Sequence, residues 1–409
     1  MILSETALSP ARVRAATRAT YVAFIGTGLA FASWAARIPQ VRDRLHLQPS
    51  ELGLVLLALA AGSVLSLPLS GPVLARLGSR RMVAAMALLL SVGLVIVSFG
   101  YLAGVLPVVC GLFLIGLGNG AWDVAMNVQG ARVERLLNRS IMSRFHAGFS
   151  LGTVAGAVIG AGMVALHVPV TAHLLGVAVA VAAVVPLAVQ RFVPDQDDDA
   201  AEEPGRSRNA WAEPRTLLIG LFVLAFAFAE GTGNDWISVA LIDGHHADAT
   251  LGTLGFAAFL AAMTLGRWVG PGLLDRYGRV VVIRALSSLA VAGLLLFVFG
   301  PSTPVAFAGA LLWGAGTSLG FPVGMSAGAD DPARAPARVS VIASIGYFAF
   351  LGGPPLIGFL GQRFSVLRGL TAVAAVLALA ALIAGNVDNL AWRRTSRCRR
   401  RGRPGGPWR

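Results

Sequence analysis

The chain has 409 residues, of which 56% are hydrophobic and only 13% are charged, and its formal net charge is +13. A soluble domain carries roughly 25% charged residues and could not bury so much apolar surface, whereas a lipid bilayer can accommodate it. Basic charge can indicate nucleic-acid binding, but these arginines lie in short loops and at the C-terminus, without a nucleic-acid-binding motif. The composition therefore excludes an ordinary soluble protein, disfavours a nucleic-acid partner, and indicates an integral membrane protein.

Apolar stretches of about 20 residues recur along the chain, and each is long enough to cross the ~30 Å hydrocarbon core as a helix. They predict an all-α integral membrane protein with twelve transmembrane helices in two pseudo-symmetric six-helix bundles. The predicted helices of the first half cover residues 18–39, 51–74, 82–101, 104–128, 145–166 and 170–191. Those of the second half cover residues 215–240, 251–273, 281–299, 303–326, 338–361 and 364–386.

The chain divides into four parts on this basis. Residues 1–191 are expected to form an N-terminal six-helix bundle, and residues 215–386 a C-terminal one. Residues 192–214 are acidic, contain proline and have few large apolar groups, so we expect a cytoplasmic surface linker, with a specific docking segment as the alternative. Residues 387–409 form a basic cytoplasmic tail that we expect to contact anionic lipid head groups.

The arginines of the loops predict the orientation of the protein in the membrane. They concentrate in alternate loops, on the side that the linker and the tail share. These loop arginines are Arg76, Arg80, Arg81, Arg135, Arg139, Arg144, Arg276 and Arg279. The opposite side carries fewer, mainly Arg42, Arg44, Arg363 and Arg368. Because basic loops stay on the cytoplasmic side, we expect a multi-pass protein of the bacterial plasma membrane with both termini in the cytoplasm.

The two halves also repeat each other in sequence. GPVLARLGSRR (71–81) follows the second predicted helix and PGLLDRYGRV (271–280) follows the eighth. An offset of 200 residues aligns Gly78 with Gly278, and the same offset aligns Gly116 with Gly316. Such duplication predicts two similar bundles around a central axis, with the binding site between them near the middle of the membrane.

The repeated loops resemble the signature of the major facilitator superfamily, which is roughly G-x-L-a-D-R-x-G-R-R. The first copy matches at Gly71, Arg76, Gly78, Arg80 and Arg81. The second copy matches at Leu273, Asp275, Arg276, Gly278 and Arg279. The resemblance implies a secondary transporter that works by alternating access, with these loops gating the change between its two facing states. In the family the loop Asp helps to latch the outward-facing state, and this chain has Ala75 at that position of the first copy.

A narrower likeness is carried by four segments. WAARIP (34–39), GNGAWDVAMN (118–127), RFHAGFSLG (144–152) and GYFAFLGGPPLIGFL (346–360) are similar to the YbjJ-like group, which is related to fucose-permease-type symporters. This likeness implies a relationship and does not identify a substrate. The helix-five signature of drug antiporters is incomplete, because Thr153 and Ala157 replace its Pro and last Gly. In addition, Leu112 stands where many efflux members carry an arginine. Both differences disfavour multidrug antiport.

Acidic residues within the predicted helices are the main candidates for a functional site. A charge in the bilayer costs about 2.5–3.5 kcal/mol even on the mildest insertion scale, so its presence needs a reason. Gly116, Gly120, Asp123 and Asn127 share one face of predicted helix four. We expect Asp123 and Asn127 to line the cavity and to bind a proton or substrate hydroxyls. The alternative is a hydrogen-bonded pair that holds two helices together.

Predicted helix seven carries a second acidic group. Glu230 and Asn234 are four residues apart, and Asp235 follows directly. Burial disfavours the charged form of a carboxylate, and this property is what a proton-coupling site needs. We therefore expect these three residues to bind substrate or protons. The alternatives are a salt bridge for Glu230 and a position at the outer water interface for Asp235.

Two further candidates lie near helix ends. Trp34 could stack on a sugar ring and Arg37 could hold carboxylates or hydroxyls, or the two could be an interfacial aromatic and an arginine extending to the head groups. His146, at the start of predicted helix five, could relay protons or simply lie at a helix start beside the cytosol.

The sequence has no nucleotide-binding loop, no metal-ligand cluster and no credible catalytic triad, so we expect no enzyme activity, cofactor or metal. Our hypothesis is a monomeric secondary transporter that takes up a small polar or sugar-like solute together with protons. Two alternatives stay open. One is efflux of an amphipathic compound by proton antiport, and the other is a non-transporting membrane sensor or scaffold that keeps the fold.

Overall fold

The structure is a computed structural model that describes residues 9–139, 141–195, 210–331 and 334–388. Two sequence expectations fall outside these residues: the middle of the linker, 196–209, and the basic tail from residue 389 onward. Everything that follows concerns the described part of the chain.

Six membrane helices form the first half, and we number them in chain order. Helix 1 is Pro10–Ala35, and the short helix Ile38–Leu45 continues from it. Helices 2 and 3 are the two arms of Pro49–Ala103, which is interrupted at Gly78. Helices 4, 5 and 6 are Val105–Leu137, Met142–Ala165 and Val170–Ala188. A 3-10 turn, Val189–Arg191, ends this half.

The second half repeats this arrangement. Helices 7, 8 and 9 are Pro214–His245, Ala249–Tyr277 and Arg279–Phe299. Helix 10 is broken into Thr303–Thr317 and Gly320–Gly328. Helix 11 is Ala335–Phe364, and helix 12 consists of Val366–Gly369 and Thr371–Ile383, followed by the 3-10 turn Ala384–Val387.

Eleven helical stretches of the described chain are long and apolar enough to cross a membrane. One of them, Pro49–Ala103, comprises two membrane helices, because Gly78 has a φ of 73° that a helix cannot contain. The structure therefore confirms the prediction of an all-α protein with twelve membrane helices in two six-helix bundles. Several helices extend beyond their predicted ends; helix 4, for example, continues from 128 to Leu137. Hydropathy marks only the apolar part of a helix, so its polar last turns were missed.

Local sequence explains several helix starts. Proline occupies the first position of helices 1, 2 and 7, where its missing N–H leaves no intrahelical hydrogen bond unmade. Asp248 caps helix 8, because its carboxylate accepts a hydrogen bond of 2.9 Å from the backbone N–H of Leu251.

Backbone contacts define how the two halves correspond. A Cβ on Gly116 of helix 4 would overlap the carbonyl oxygen of Leu59, and a Cβ on Gly314 of helix 10 would overlap that of Phe259. Leu59 and Phe259 are 200 residues apart, but the two glycines are 198 apart. The sequence alignment of Gly116 with Gly316 was therefore wrong by two residues for this helix. A uniform offset could not reveal that the chain between the crossing glycines is two residues shorter in the second half, where Gly293 meets Gly309, than in the first, where Gly93 meets Gly111.

The corrected register pairs Asp123 with Phe321, because the offset of 198 residues applies throughout helices 4 and 10. Other contacts agree with it. Gly118 packs on Leu90 in the first half, and Gly316 packs on Ala290 in the second. Between these two contacts, the residues on helices 4 and 10 differ by 198 positions, and the residues on helices 3 and 9 differ by 200.

The two halves contact each other firmly at one end of the molecule. Helices 2 and 11 meet backbone to backbone, since a Cβ on Gly53 would lie 2.5 Å from the Pro354 carbonyl oxygen. Beside this crossing, Arg42 pairs with Asp243 of the other half, with Nη2 3.0 Å from Oδ1. We call this the sealed end. Small residues allow such close approach of membrane helices.

The opposite end carries the two repeated turns, and we call it the loop end. Gly78 and Gly278 have φ values of 73° and 78°, a conformation that favours glycine, so both copies of the signature form the same turn. Gly71, Arg76, Arg80 and Asp275 are exposed, and the Arg276 guanidinium lies 5.2 Å from the Tyr277 ring centroid. Arg279 differs from these, because its Nη1 binds Asp330 at 2.7 Å.

The described ends of the expected linker are packed against the bundles. Val193 is buried, and Asp195 accepts hydrogen bonds of 2.7 Å from both the backbone N–H and the hydroxyl of Ser79. On the other half, Glu213 binds Arg338 at 2.7 Å, and this hydrogen bond holds the pKa of Glu213 below its usual range. Both described ends of the linker therefore contact the helix bundles.

Candidate functional site

Helix 4 presents a column of polar side chains at steps of four residues. Asn127 Nδ2 donates to the backbone carbonyl of Asp123 at 2.9 Å and to its carboxylate at 3.2 Å. One turn earlier, the Thr27 hydroxyl of helix 1 donates to Asn119 at 2.7 Å. Asn119, Asp123 and Asn127 are all partly exposed. The glycines near this column pack against helix 2, so packing and polar functions occupy neighbouring parts of the same helix.

The Asp123 carboxylate faces a residue of the other half. Tyr347 of helix 11 lies within electrostatic range of Asp123 and is also partly exposed. Tyr347 in turn packs on Phe350, with 6.2 Å between the ring centroids. Asp123 therefore lies at the interface between the halves. Its one described hydrogen-bond donor is Asn127, within the same helix.

A second polar group connects helices 7, 8 and 10. Arg267 Nη2 donates to both carboxylate oxygens of Glu230, at 2.9 and 2.8 Å, and Arg267 Nε donates to the Ser318 carbonyl at 3.3 Å. The Ser318 carbonyl is available because Pro322, four residues later, has no N–H to continue the helical pattern. Glu230 is thus salt-bridged, as one of the sequence alternatives stated.

The other residues of helix 7 do not join this pair. Asn234 Oδ1 is buried and has no hydrogen-bond partner among the described residues. Asp235 is partly exposed and lies five residues from Glu230, so it points to a different side of the helix. The structure therefore brings Glu230 to Arg267 and leaves Asn234 and Asp235 apart from both.

Trp34 and Arg37 lie away from both polar groups. Trp34 is buried in the core of the first half. Arg37 is also buried: its Nε donates to His173 Nδ1 at 2.9 Å and its Nη2 to the Val168 carbonyl at 3.0 Å. Neither side chain extends to a membrane surface, and Arg37 joins parts of one half.

His146 is exposed and approaches the second polar group from the first half. Its ring packs edge-on against Phe24, at 5.2 Å between centroids, and Arg267 lies within electrostatic range. It stands in the second turn of helix 5, which begins at Met142, so it does not cap the helix.

Sequence reasoning missed Arg267, Tyr347 and Asn119. Arg267 had a usable signal, because it is an ionisable residue inside the apolar stretch 251–273. Asn119 also had a signal, because it lies four residues before Asp123, as Asn127 lies four residues after it. Tyr347 had none. Among the described residues, the acids and histidines form no group that could hold a metal ion.

Two cavities in the described chain lie away from these groups. One of about 580 Å³ is an apolar groove between helices 2 and 4, and includes Leu54, Phe113 and Cys110. The other, of about 460 Å³, opens beside the Arg42–Asp243 pair at the sealed end. No candidate acid lines either of them. The residues of the two polar groups are instead partly exposed outside these cavities.

Comparison with known proteins agrees with this architecture. The family model described as Major Facilitator Superfamily matches residues 20–347. An uncharacterized transporter, y4wD of Sinorhizobium fredii, is 32% identical over 90% of this chain and 97% of its own length.

Two solved structures share the fold. The nucleoside transporter NupG superposes with a TM-score of 0.74 at 14% identity, covering 90% of this chain and 98% of its own. The fucose:proton symporter FucP of E. coli gives 0.58 at 16% identity, covering 90% and 99%. With the family model matching most of its length, this chain belongs to the major facilitator superfamily and is a multi-pass membrane transporter of that type.

Proposed function

We propose that this transporter takes up a small polar, sugar-like solute in symport with protons, by alternating access between the two halves. The observation that carries the proposal is Asp123. It is a carboxylate on a membrane helix, partly exposed between the halves, and its described hydrogen-bond donor is Asn127. A carboxylate in a low-dielectric site is stabilised by taking a proton, so protonation can become a step of the transport cycle.

The orientation follows from the arginines. The loop end carries Arg76, Arg80 and Arg276, and basic loops stay in the cytosol, so the sealed end faces the periplasm. Reporter fusions inside 196–209 and at the C-terminus should both report a cytosolic location. A periplasmic signal at either site would overturn this orientation.

The structural relatives are consistent with a polar solute. FucP is a fucose:proton symporter and NupG a nucleoside transporter, so both carry hydroxylated compounds on this fold. The polar column of helix 4 supplies hydrogen-bonding groups for such hydroxyls. The incomplete drug-antiporter signature at Thr153 and Ala157 favours uptake over export of amphipathic compounds.

The test begins with purified protein and a panel of neutral sugars, sugar acids and nucleosides. A solute that binds the folded state raises its melting temperature. In proteoliposomes, the solute giving the largest shift should accumulate when a proton gradient is imposed. At least one of Asp123→Asn and Glu230→Gln should abolish accumulation, while exchange of preloaded solute stays partly intact. We favour Asp123 over any group on helix 10 as the coupling site, because its counterpart Phe321 cannot titrate.

Asp248→Asn is the matched control, because it removes an acid outside the space between the halves and asparagine caps a helix equally well. It should accumulate solute as the unmodified protein does. Unchanged, still pH-dependent accumulation in both acid variants would make these carboxylates packing elements. If no member of the panel stabilised the protein or moved protons, the non-transporting alternative would be favoured.

A further inference from the structure

Arg267 has an incomplete set of hydrogen bonds. Its Nη2 serves both oxygens of Glu230 and its Nε serves the Ser318 carbonyl, but among the described residues its Nη1 has no acceptor. The Arg267 and Glu230 side chains are 27% and 21% exposed, so neither is sealed inside a bundle. A pair serving only to fix helices 7 and 8 would gain nothing from this exposure. A ligand can therefore reach the guanidinium.

The backbone beside Arg267 is suited to a binding site. Helix 10 stops at Thr317 and resumes at Gly320, and breaks of this kind near the middle of the membrane are typical of transporter binding sites. Across the interface, His146 lies within electrostatic range of Arg267. The site thus contains residues from both halves of the molecule, as alternating access requires.

The chemistry of the guanidinium selects the class of ligand. Arginine forms two parallel hydrogen bonds with a carboxylate, and the opposite charges of the two groups add an attraction that a neutral hydroxyl does not provide. A neutral sugar would have to compete with the Glu230 carboxylate without a charge of its own. A solute carrying its own carboxylate competes on equal terms and can also use the open Nη1.

We propose that Arg267 binds the carboxylate of a hydroxylated acid, of the sugar-acid class, and that this carboxylate replaces Glu230 on Arg267. The displaced Glu230 takes a proton from water on the side to which the site is open. The site then holds one cation, one anion and one neutral acid, so its net charge is the same as before binding. On release of the solute, Glu230 loses this proton and returns to Arg267. The inference rests on the proposed function, and it narrows the polar solute to an anionic one.

Glu230 acts in this scheme as an internal competitor, and this role predicts an unusual direction of effect. Its removal should tighten binding, because the ligand no longer has to displace an occupant. Glu230→Gln should therefore bind sugar acids about tenfold more tightly than the unmodified protein. A purely structural ion pair predicts the opposite, because loss of one partner would disorder the site.

The experiment uses the full chain in detergent and matched probes that differ in the carboxylate: D-galacturonate with D-galactose, and D-gluconate with D-glucitol. Binding is measured by calorimetry and thermal shift. We expect at least one acid to bind more tightly than its neutral partner. Arg267→Lys should weaken that binding, Arg267→Gln should abolish it, and Glu230→Gln should strengthen it.

Several outcomes would overturn the assignment. Equal binding of an acid and its neutral partner, no acid-specific binding across the probes, or weaker binding in Glu230→Gln would each do so. Should Arg267→Gln fail to fold, Arg267→Lys and Glu230→Gln still decide the matter. If neutral sugars bound equally well and moved protons through Asp123, the inference would fail while the proposed function stood.

Discussion

Helices 4 and 10 occupy equivalent places in the two halves, and they share their packing. Gly116 lies against the Leu59 carbonyl as Gly314 lies against that of Phe259. At the next contact of the same helices, the serine lies on opposite helices in the two halves. Ser66 of helix 2 packs on Gly120 of helix 4 in the first half, whereas Ser318 of helix 10 packs on Gly266 of helix 8 in the second.

The chemistry of the two helices has diverged within this shared packing. Asp123 and Val124 of helix 4 correspond to Phe321 and Pro322 of helix 10 in the register that the contacts define. One half therefore has a continuous helix with an acid, and the other has a broken helix whose free carbonyl binds Arg267. The comparison shows that a duplicated bundle can keep its interhelical contacts while the polar groups between the halves specialise.

The largest expected effect comes from making helix 4 resemble helix 10. Val124→Pro removes the N–H that bonds the Gly120 carbonyl, and a proline inside a helix costs about 3 kcal/mol or more. Because no arginine among the described residues donates to that carbonyl, we expect a marked drop in melting temperature and in folded yield on size exclusion. Pro322→Ala is the matched control and should keep the fold. Equal melting temperatures in the two variants would mean that the hydrogen bond from Arg267 to the Ser318 carbonyl does not stabilise the break in helix 10.

The second prediction tests the shared packing. Gly116→Ala and Gly314→Ala should each destabilise the protein by about 1–3 kcal/mol, because the added Cβ meets a backbone oxygen that cannot move aside easily. Both melting temperatures should fall by similar amounts. Gly162→Ala and Gly176→Ala meet no neighbouring atom and should leave the melting temperature unchanged or slightly higher. If only one of Gly116→Ala and Gly314→Ala lowered the melting temperature, the two helix crossings would not be equivalent.

A third prediction concerns the two signature loops. Arg76→Ala and Asp275→Asn should change the balance of the two facing states without weakening solute binding, because both side chains are exposed at the loop end and belong to neither polar group. Spin-label distances across the loop end would report the populations, and calorimetry the binding. Lost binding with normal cycling would show that these loops do not gate.

The smallest effect is expected at the sealed end. Arg42→Ala removes the ion pair to Asp243, and exposed pairs contribute about 0.2–1 kcal/mol, so the outward-open population should rise only modestly. Distances between labels on helices 2 and 11 measure the opening. Asp43→Asn is the control, since Asp43 contacts Arg42 from its own half. An equally large rise in the outward-open population of Asp43→Asn would show that the Arg42–Asp243 pair does not control the opening of the sealed end.

The sequence predicted the parts of this molecule that depend on local pattern. Apolar runs marked all twelve helices, and Gly78 and Gly278 marked the repeated turns, because only glycine accepts their φ easily. Asp123 and Glu230 stood out because ionisable groups are rare in membrane helices. The break in helix 10 was not predicted, although Pro322 was a usable signal for it, because proline has no N–H to continue the helical hydrogen bonds.

Long-range partners could not be predicted in this way. Arg37 binds His173, 136 positions later in the sequence, and no periodicity joins them. Arg267 is 37 residues from Glu230, and only the packing of helices 7 and 8 brings their charges together. The two-residue change in register between helices 4 and 10 was equally hidden. The uniform offset of 200 residues would pair Asp123 with Val323, whereas the glycine contacts of helices 4 and 10 pair it with Phe321.

The break in helix 10 also has a mechanical consequence. The segment Gly320–Gly328 is a separate helix about 13 Å long that begins after the break. Two residues beyond its other end, Asp330 binds Arg279 of the second signature loop and Arg215 at the start of helix 7. Arg279 also donates a hydrogen bond of 2.8 Å to Ser326 of the segment itself. A displacement of this segment relative to the first part of helix 10 would therefore be transmitted to the second signature loop.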